Sequence, residues 1–237
     1  MLPFISLGPL AIPSKPLIII IGVYLSLSML EMAAGRLKLN REAAHELGSS
    51  SVIAGFVGAR LVFVLLNWSA FSRNLISIAW PLTFGYNLWA GLIIGILFYR
   101  LIAYRKSLNF IAYLDPLAAA ASTFLITLSL ADWLGGPGFG APAEILGLRR
   151  HPVQAYEMVV GSVALGAWWW FQREQLPAGR LFGLTAAVIS AGLLITIPFR
   201  GNPWLIGSGW HVGQLITLVT MITSLLYISL LTSKRSI

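Results

Sequence analysis

Seven apolar stretches, each about as long as a helix that crosses a bilayer, constrain this chain more than any other feature of its sequence. Crossing the hydrocarbon core takes ~20 mainly apolar residues in a helix. The stretches are too long and too continuous for barrel strands, and a backbone in lipid must satisfy its own hydrogen bonds, so only helices are compatible with them. The predicted spans cover residues 16–34, 52–68, 83–103, 110–130, 153–171, 181–197 and 211–231.

Composition favours a single integral membrane domain over residues 1–237, in the all-α polytopic class. Hydrophobic residues make up 57% of the chain and charged residues 10%, against ~45–50% and ~25% in soluble domains. No polar stretch is long enough for a separate soluble domain. The first apolar run has only Lys15 before it and no small-residue cleavage site, so we expect a retained helix and not a removed signal.

Several kinds of site are excluded or disfavoured. The sequence has no cysteine, which excludes disulfides, thiolate metal sites and a cysteine nucleophile. Its three histidines are spread along the chain, and we expect neither a metal nor a cofactor. The formal charge of +8 is not arranged in basic runs with interleaved aromatic residues. We therefore expect contact with lipid headgroups and no binding of nucleic acid.

The distribution of basic residues predicts the orientation of the helices. Ten of them fall in one set of connections, five fall in the other, and Arg60 lies inside a span. The richer set should be cytoplasmic, with the N-terminus outside and the C-terminus inside. It comprises Arg36, Lys38, Arg41, Arg100, Arg105, Lys106, Arg173, Arg180, Lys234 and Arg235. The other comprises Lys15, Arg73, Arg149, Arg150 and Arg200, so Arg149 and Arg150 run against the usual bias, which favours a function for them.

The densest polar group is the segment 149–157, which reads Arg-Arg-His-Pro-Val-Gln-Ala-Tyr-Glu. Pro152 suits the first turn of a helix, and the apolar residues that follow should continue it. Arg150, Gln154 and Glu157 are spaced i, i+4 and i+7 and should share one helical face. The free N–H groups of such a helix start, beside two arginines, would suit a phosphate. The alternative is an ordinary helix start with interfacial arginines.

Arg60 falls near the middle of the second span, where an arginine costs at least ~2.5–3.5 kcal/mol. It must face the interior of the bundle and find an acceptor, which is either a lipid phosphate in a cavity or an ion pair with Glu31 or Glu157. Just before it, two pairs of small residues four apart predict the close approach of a neighbouring helix. These pairs are Ala54 with Gly58 and Gly55 with Ala59.

Three other polar features carry predictions. Asp115 precedes Pro116 and is either a helix cap or a buried polar contact, with capping favoured. The link 35–50 carries both signs of charge and predicts a short amphipathic surface helix, on which His45 is solvated. The long connection 129–151 begins near Asp132 and is rich in glycine, which suits a substrate lid or a linker.

Several motifs, taken in order, resemble bacterial prolipoprotein diacylglyceryl transferases over nearly the whole chain. The segment that begins at Arg150, with the pattern RHPxQxYE, is the specific one. The accompanying motifs are Ser6-Leu7-Gly8-Pro9-Leu10, Gly58-Ala59-Arg60-Leu61, Ala90-Gly91-Leu92-Ile93, Asp115, Gly140-Ala141-Pro142 and Gly213-Gln214-Leu215. The resemblance implies a multi-pass protein of the bacterial inner membrane.

The resemblance also implies a reaction, in which a diacylglyceryl group passes from phosphatidylglycerol to the cysteine thiol of a prolipoprotein signal peptide. Glycerol phosphate leaves and a thioether forms. The implied partners are phosphatidylglycerol, the signal peptide and other membrane lipids. The implied catalytic residues are Arg60, Arg150, His151 and Glu157. The implied substrate-binding residues are Gln154, Tyr156, Arg200, Asp132 and Gln214.

The chain departs from the family at several positions. Trp89 stands where the family has its catalytic histidine, Ser129 where it has an arginine, Asp132 where it has an asparagine and Pro137 where it has a glutamate. Losing a charged hydrogen bond to phosphate costs ~1.5–3 kcal/mol, so two or three such losses would slow turnover by orders of magnitude. Because histidine exchanges protons near neutral pH, His151 is our candidate for the missing base.

Two functions therefore compete. The first is a divergent diacylglyceryl transferase, and the second is a non-catalytic membrane homologue that binds anionic lipid or a partner helix. A transporter is disfavoured, because the sequence lacks paired interrupted helices in corresponding halves. Convergence of Arg60, Arg150, His151, Glu157 and Arg200 on one cavity would favour the enzyme or the lipid-binding protein.

Overall fold

The protein is built mainly of helices. The computed structural model describes residues 4–7, 10–72, 85–136, 140–145, 148–174, 176–201, 204–207 and 209–233. In chain order its helices are α1 (Ser14–Arg36), α2 (Arg41–Leu66), α3 (Trp68–Phe71), α4 (Leu88–Arg105), α5 (Phe110–Gly135), α6 (Val153–Phe171), α7 (Arg180–Thr196) and α8 (Val212–Ser233). Short 3₁₀ turns, Gln172–Glu174 and Ile197–Phe199, follow α6 and α7.

Short antiparallel hairpins connect or precede the helices. The hairpin β1–β2 leads into α1, β3–β4 leads into α6, and β5–β6 leads into α8. Their strands are β1 (Phe4–Leu7), β2 (Leu10–Pro13), β3 (Pro142–Ile145), β4 (Leu148–Arg150), β5 (Leu205–Ile206) and β6 (Trp210–His211).

Six helices within the described ranges are long and apolar enough to cross a membrane, namely α1, α2, α4, α5, α7 and α8. This confirms an all-α polytopic membrane protein. The helix α6 forms over the predicted residues, Val153–Phe171, but it is not one of the six. The seventh span and the orientation of the termini stay predictions. Four residues used in predicting the spans and the orientation, Arg73, Thr83, Lys234 and Arg235, lie outside the described residues, as does Pro137 of the glycine-rich loop.

The helices pack around α1 and α5, which contact each other extensively. One buried cluster joins α1, α2, α4 and α5 and includes Leu30, Leu47 and Tyr99. A second joins α1, α5, α6 and α7 and includes Met29, Trp168 and Leu181. The helix α6 therefore packs between α5 and α7, which fixes the position of the polar segment at its start.

Small residues bring α2 and α4 into close contact, as predicted. A Cβ added at Gly55 would lie 2.9 Å from the carbonyl oxygen of Gly91, and one added at Gly91 would lie 2.9 Å from Cβ of Ala59. Neither glycine could gain a side chain without moving a helix. The close contact between α2 and α4 also positions Asn87, whose N–H donates to the carbonyl of Ala59 at 3.0 Å.

The predicted surface helix in the link 35–50 is wrong as a separate element. The helix α2 begins at Arg41, where the side chain of Asn40 accepts a hydrogen bond from the N–H of Ala43 at 3.0 Å. Since no proline follows before the end of the span, the helix continues unbroken through the polar residues into the apolar ones. His45 is also not simply solvated, because its Nδ1 contacts Oε1 of Glu31 on α1.

The capping role predicted for Asp115 within its own helix is wrong. The helix α5 begins at Phe110 with Asn109 as its cap, so Asp115 lies inside it and is 5% exposed. Its carboxylate accepts hydrogen bonds from the N–H groups of Gly179 and Phe182, both at 2.8 Å. Its main-chain carbonyl accepts a hydrogen bond from Nε1 of Trp168 at 2.8 Å. Asp115 therefore caps α7 across the bundle and ties α5, α6 and α7 together.

Candidate functional site

The hairpin β3–β4 sets the start of α6. Pro142 pairs with Arg150, and the N–H of His151 donates to the carbonyl of Ala141 at 3.0 Å. The extended backbone ends only at Pro152, which is the N-cap of α6 and not a residue of its first turn as predicted. Arg150 therefore lies in a strand, and the prediction that it shares a helical face with Gln154 and Glu157 is wrong.

The 3₁₀ turn after α7 brings a second segment to the same place. The N–H of Ala141 donates to the carbonyl of Phe199 at 2.7 Å, and Gly140 forms a β-bridge with Arg200. A Cβ at Gly140 would lie 1.9 Å from the carbonyl oxygen of His151, so only glycine allows this approach. The result is that Arg200 lies beside the start of α6.

Glu157 and Arg200 form an ion pair at this junction. Nε and Nη2 of Arg200 both donate to Oε1 of Glu157, at 3.1 and 2.5 Å. The carboxylate side chain is 9% exposed and the arginine side chain is 51% exposed. The buried carboxylate of Glu157 therefore fixes the position of the Arg200 guanidinium, which remains accessible from outside. Gln154, one turn earlier on α6, is also buried.

Aromatic side chains hold His151. Its Nδ1 lies 3.3 Å from the hydroxyl of Tyr156. Its ring packs on Phe199 with 4.6 Å between centroids, and Tyr156 meets the same phenyl ring edge-on at 6.0 Å. Neighbouring Arg149 and Arg150 are exposed, and Nη1 of Arg150 donates to the carbonyl of Gly140 at 3.4 Å. A fixed imidazole therefore stands beside exposed cations, an arrangement able to combine proton transfer with anion binding.

Arg60 contacts residues of α3 and of the segment before α4. It is 7% exposed, and its Nη1 donates to the carbonyl of Gly85 at 2.9 Å. Its guanidinium also lies 5.3 Å from the ring centroid of Phe71 and 5.5 Å from that of Tyr86. The two carboxylates predicted as possible partners are engaged elsewhere, Glu31 with His45 and Glu157 with Arg200. The contacts described for Arg60 are therefore with Gly85, Phe71 and Tyr86.

The remaining predicted residues lie on other helices. Asp132, on α5, forms an ion pair with Lys15 of α1 at 2.7 Å. Gln214 is half-buried in the first turn of α8. Of the positions that depart from the resemblance, Trp89 is 54% exposed on α4 and Ser129 is 1% exposed. The hydroxyl of Ser129 has no hydrogen-bond partner within the part of the chain that the structure describes.

The sequence did not indicate two partners of the predicted residues, Phe199 and Lys15. Phe199 holds the imidazole, and the only signal for it was its position next to Arg200. Lys15 pairs with Asp132 from the start of α1, and no local pattern indicated that the two chain segments meet.

Comparison with known proteins identifies the family. A sequence model of prolipoprotein diacylglyceryl transferase matches residues 3–230. The chain belongs to this family. Among similar proteins, the phosphatidylglycerol–prolipoprotein diacylglyceryl transferase of Streptococcus uberis is 22% identical, over 98% of this chain and 96% of that protein. That of Bordetella parapertussis is 26% identical, over 90% and 88%. The family and the apolar helices together make this a multi-pass protein of the bacterial inner membrane.

The pairing of Glu157 with Arg200 gives a first prediction for this transferase relative. We expect Arg200→Gln to lower the free energy of unfolding by roughly 1–3 kcal/mol, between the values for exposed and fully buried pairs, because it leaves a buried carboxylate without its cation. Glu157→Gln should cost less, because Arg200 remains half exposed to solvent. Thermal unfolding in detergent measures both.

The double variant provides the control. If the two side chains interact as described, Glu157→Gln combined with Arg200→Gln should cost less than the sum of the single changes. Strict additivity would show that the ion pair contributes nothing to stability.

Proposed function

We propose that this protein transfers the diacylglyceryl group of phosphatidylglycerol to the lipobox cysteine of prolipoprotein signal peptides. The observation that carries the proposal is the meeting of Arg150, His151, Glu157 and Arg200 at the start of α6, in a chain of this family. The proposed topology has seven spans, with α6 as the fifth, an outer N-terminus and a cytoplasmic C-terminus. The site then opens towards the outer leaflet, where signal peptides arrive.

Each residue has a proposed role. Arg150 and Arg200 hold the phosphate, because guanidinium groups donate paired hydrogen bonds to its oxygens. Glu157 orients Arg200, and Tyr156 orients the imidazole. His151 accepts the proton of the cysteine thiol, since the thiolate is the nucleophile. The sulfur then forms a bond to the glyceryl carbon, the bond from that carbon to the phosphate oxygen breaks, and glycerol phosphate leaves with the electron pair.

The residues outside this group have lesser roles in the proposal. Gln154 of α6 and Gln214 of α8 are assigned to substrate binding. Asp132 contributes to binding together with its partner Lys15. Arg60 acts on lipid from the α2–α4 side, where its guanidinium is already held by the Gly85 carbonyl.

A second candidate, a non-catalytic homologue that binds anionic lipid or a partner helix, is favoured by one observation. Ser129, which stands where the resemblance has an arginine, is almost fully buried. Because residue 129 is a serine, that position of α5 carries no cation.

Direct transfer tests the proposal. The purified protein is given phosphatidylglycerol and a signal peptide with a lipobox cysteine, and the mass of the peptide is followed. We expect a gain of one diacylglyceryl group, at a rate that falls about ten- to a hundredfold in Arg150→Ala, as the loss of one charged hydrogen bond predicts. Arg105→Ala, which removes the same charge from the end of α4, is the matched control and should leave the rate unchanged. No mass gain, with phosphatidylglycerol still bound, would favour the second candidate.

A further inference from the structure

A groove runs along the outside of α6 towards the helix end that is remote from the candidate site. It has a volume of about 390 Å³ and lies between α6 and Ile126 of α5. The volume falls within the ~300–1,000 Å³ of known ligand sites. The facing side of the groove is one stripe of residues along α6 and the 3₁₀ turn that follows it, at i, i+3, i+4, i+7, i+8 and i+11. They are Ser162, Leu165, Gly166, Trp169, Trp170 and Arg173.

Gly166 keeps the groove open. A Cβ added at Gly166 would meet nothing within 4 Å. At Gly161, by contrast, an added Cβ would lie 2.7 Å from Cγ1 of Ile126, so that glycine is needed for the packing of α5 on α6. The packing of the protein itself does not explain why residue 166 lacks a side chain. Without a side chain at residue 166, the backbone of α6 is exposed at the base of the groove.

The length of the groove matches one leaflet of a bilayer. The eleven steps from Ser162 to Arg173 rise ~16 Å along the helix axis, and half of the hydrocarbon core is ~15 Å thick. Because the lining between these ends is apolar and aromatic, an acyl chain fits it in both length and chemistry. Trp169 and Trp170 lie near the end of α6, at the level where indoles commonly meet lipid headgroups.

Two arginines stand at that same end. Arg173 lines the groove and is exposed. Arg36, also exposed, lies with its guanidinium 3.8 Å from the ring centroid of Trp169. Neither arginine has a carboxylate partner among the described residues, Glu174 included. The groove therefore ends at two positively charged side chains, whose charge complements that of a lipid phosphate.

We propose that this groove binds one anionic phospholipid, with an acyl chain along Gly166 and the headgroup phosphate at Arg173 and Arg36. The candidate transferase site lies at the start of α6, and the helix is ~27 Å long from Val153 to Phe171. With α6 as a span, as the proposed topology has it, the bound lipid belongs to the opposite leaflet, and the groove is a second lipid site that does not depend on the proposed reaction.

Native mass spectrometry of the full-length protein in neutral detergent tests this site. The protein is titrated with dioleoylphosphatidylglycerol or with dioleoylphosphatidylcholine, which share their acyl chains and differ in net charge. We expect Arg173→Gln and Gly166→Leu each to retain one phosphatidylglycerol fewer than the unaltered protein. Phosphatidylcholine should occupy the groove about tenfold less well, the effect of one charge-assisted hydrogen bond.

Arg105→Gln is the matched control, because it removes the same charge at the end of α4, and it should retain as many lipids as the unaltered protein. Equal retention in all four proteins, or equal retention of the two lipids, would overturn the proposal. A dimer mass that disappears in Gly166→Leu would also overturn it, since the groove would then hold a second copy of the chain. Gly166→Leu places its side chain in open space, so a normal thermal melt is expected for it.

Discussion

His151→Ala is expected to lower the rate of diacylglyceryl transfer by about 10²–10⁴-fold, which is the contribution of a positioned general base. The imidazole is held on Phe199, with 4.6 Å between ring centroids, and its Nδ1 lies 3.3 Å from the hydroxyl of Tyr156. In the tautomer whose Nδ1 donates to the Tyr156 hydroxyl, Nε2 is the ring atom left to take the thiol proton. The measurement is the initial rate of mass gain of the peptide at saturating lipid. The effect should fall on kcat, because proton transfer belongs to the transition state.

Two variants show whether this effect is specific. His211→Ala makes the same change in β6, before α8, and should leave the rate unaltered. Tyr156→Phe removes only the hydroxyl that orients the imidazole, so it should slow transfer less than His151→Ala and have no further effect when the two are combined. If His151→Ala transferred lipid at the normal rate, His151 would not be the base.

Asp115→Ala is expected to lower the free energy of unfolding by about 2–5 kcal/mol, the largest stability effect that we predict. The change removes the acceptor of two N–H groups, those of Gly179 and Phe182, each bonded at 2.8 Å. A buried donor left without a partner costs ~1–3 kcal/mol. Unfolding by heat or by denaturant, followed through tryptophan fluorescence, measures the loss.

Asn109→Ala is the matched control for Asp115→Ala, because Asn109 caps α5, the helix that carries Asp115, whereas Asp115 caps α7. Its side chain accepts a single hydrogen bond, from the N–H of Ala112 at 3.3 Å, at an exposed position. The expected loss is ~0.5–2 kcal/mol. Asp115→Asn should fall between the two, because an amide oxygen can still accept one of the N–H groups. An Asn109→Ala protein less stable than Asp115→Ala would contradict the capping of α7 by Asp115.

The helices could be predicted from the sequence because their signals are local. The boundaries of α6 agree with the prediction, Val153–Phe171, and the small residues around Gly55 correctly indicated the contact with α4. The role of Asp115 could not be predicted, since its partners Gly179 and Phe182 are more than sixty residues away and are backbone groups that carry no side-chain signal.

In the candidate site, too, local features could be predicted from the sequence and contacts between distant segments could not. The segment from Arg150 to Glu157 is contiguous, so its residues had to be neighbours. The pairing of Arg150 with Pro142, however, keeps Arg150 in a strand and off the helical face of Gln154 and Glu157. The approach of Arg200 depends on the backbone contacts of Gly140 and Ala141 with the turn after α7. No spacing of residues along the chain predicts such a contact.

The contact between Asp115 and the start of α7 also constrains how the chain is inserted during synthesis. Ribosomes deliver α5 before α6 and α7, so the carboxylate enters the membrane region before its backbone partners exist. Asp115 is only the sixth residue of α5, near the end of the span that the proposed topology puts at the cytoplasmic face, so its carboxylate can stay in contact with water until residues 179–182 emerge. We expect α5, α6 and α7 to pack together only then, as one unit of biogenesis.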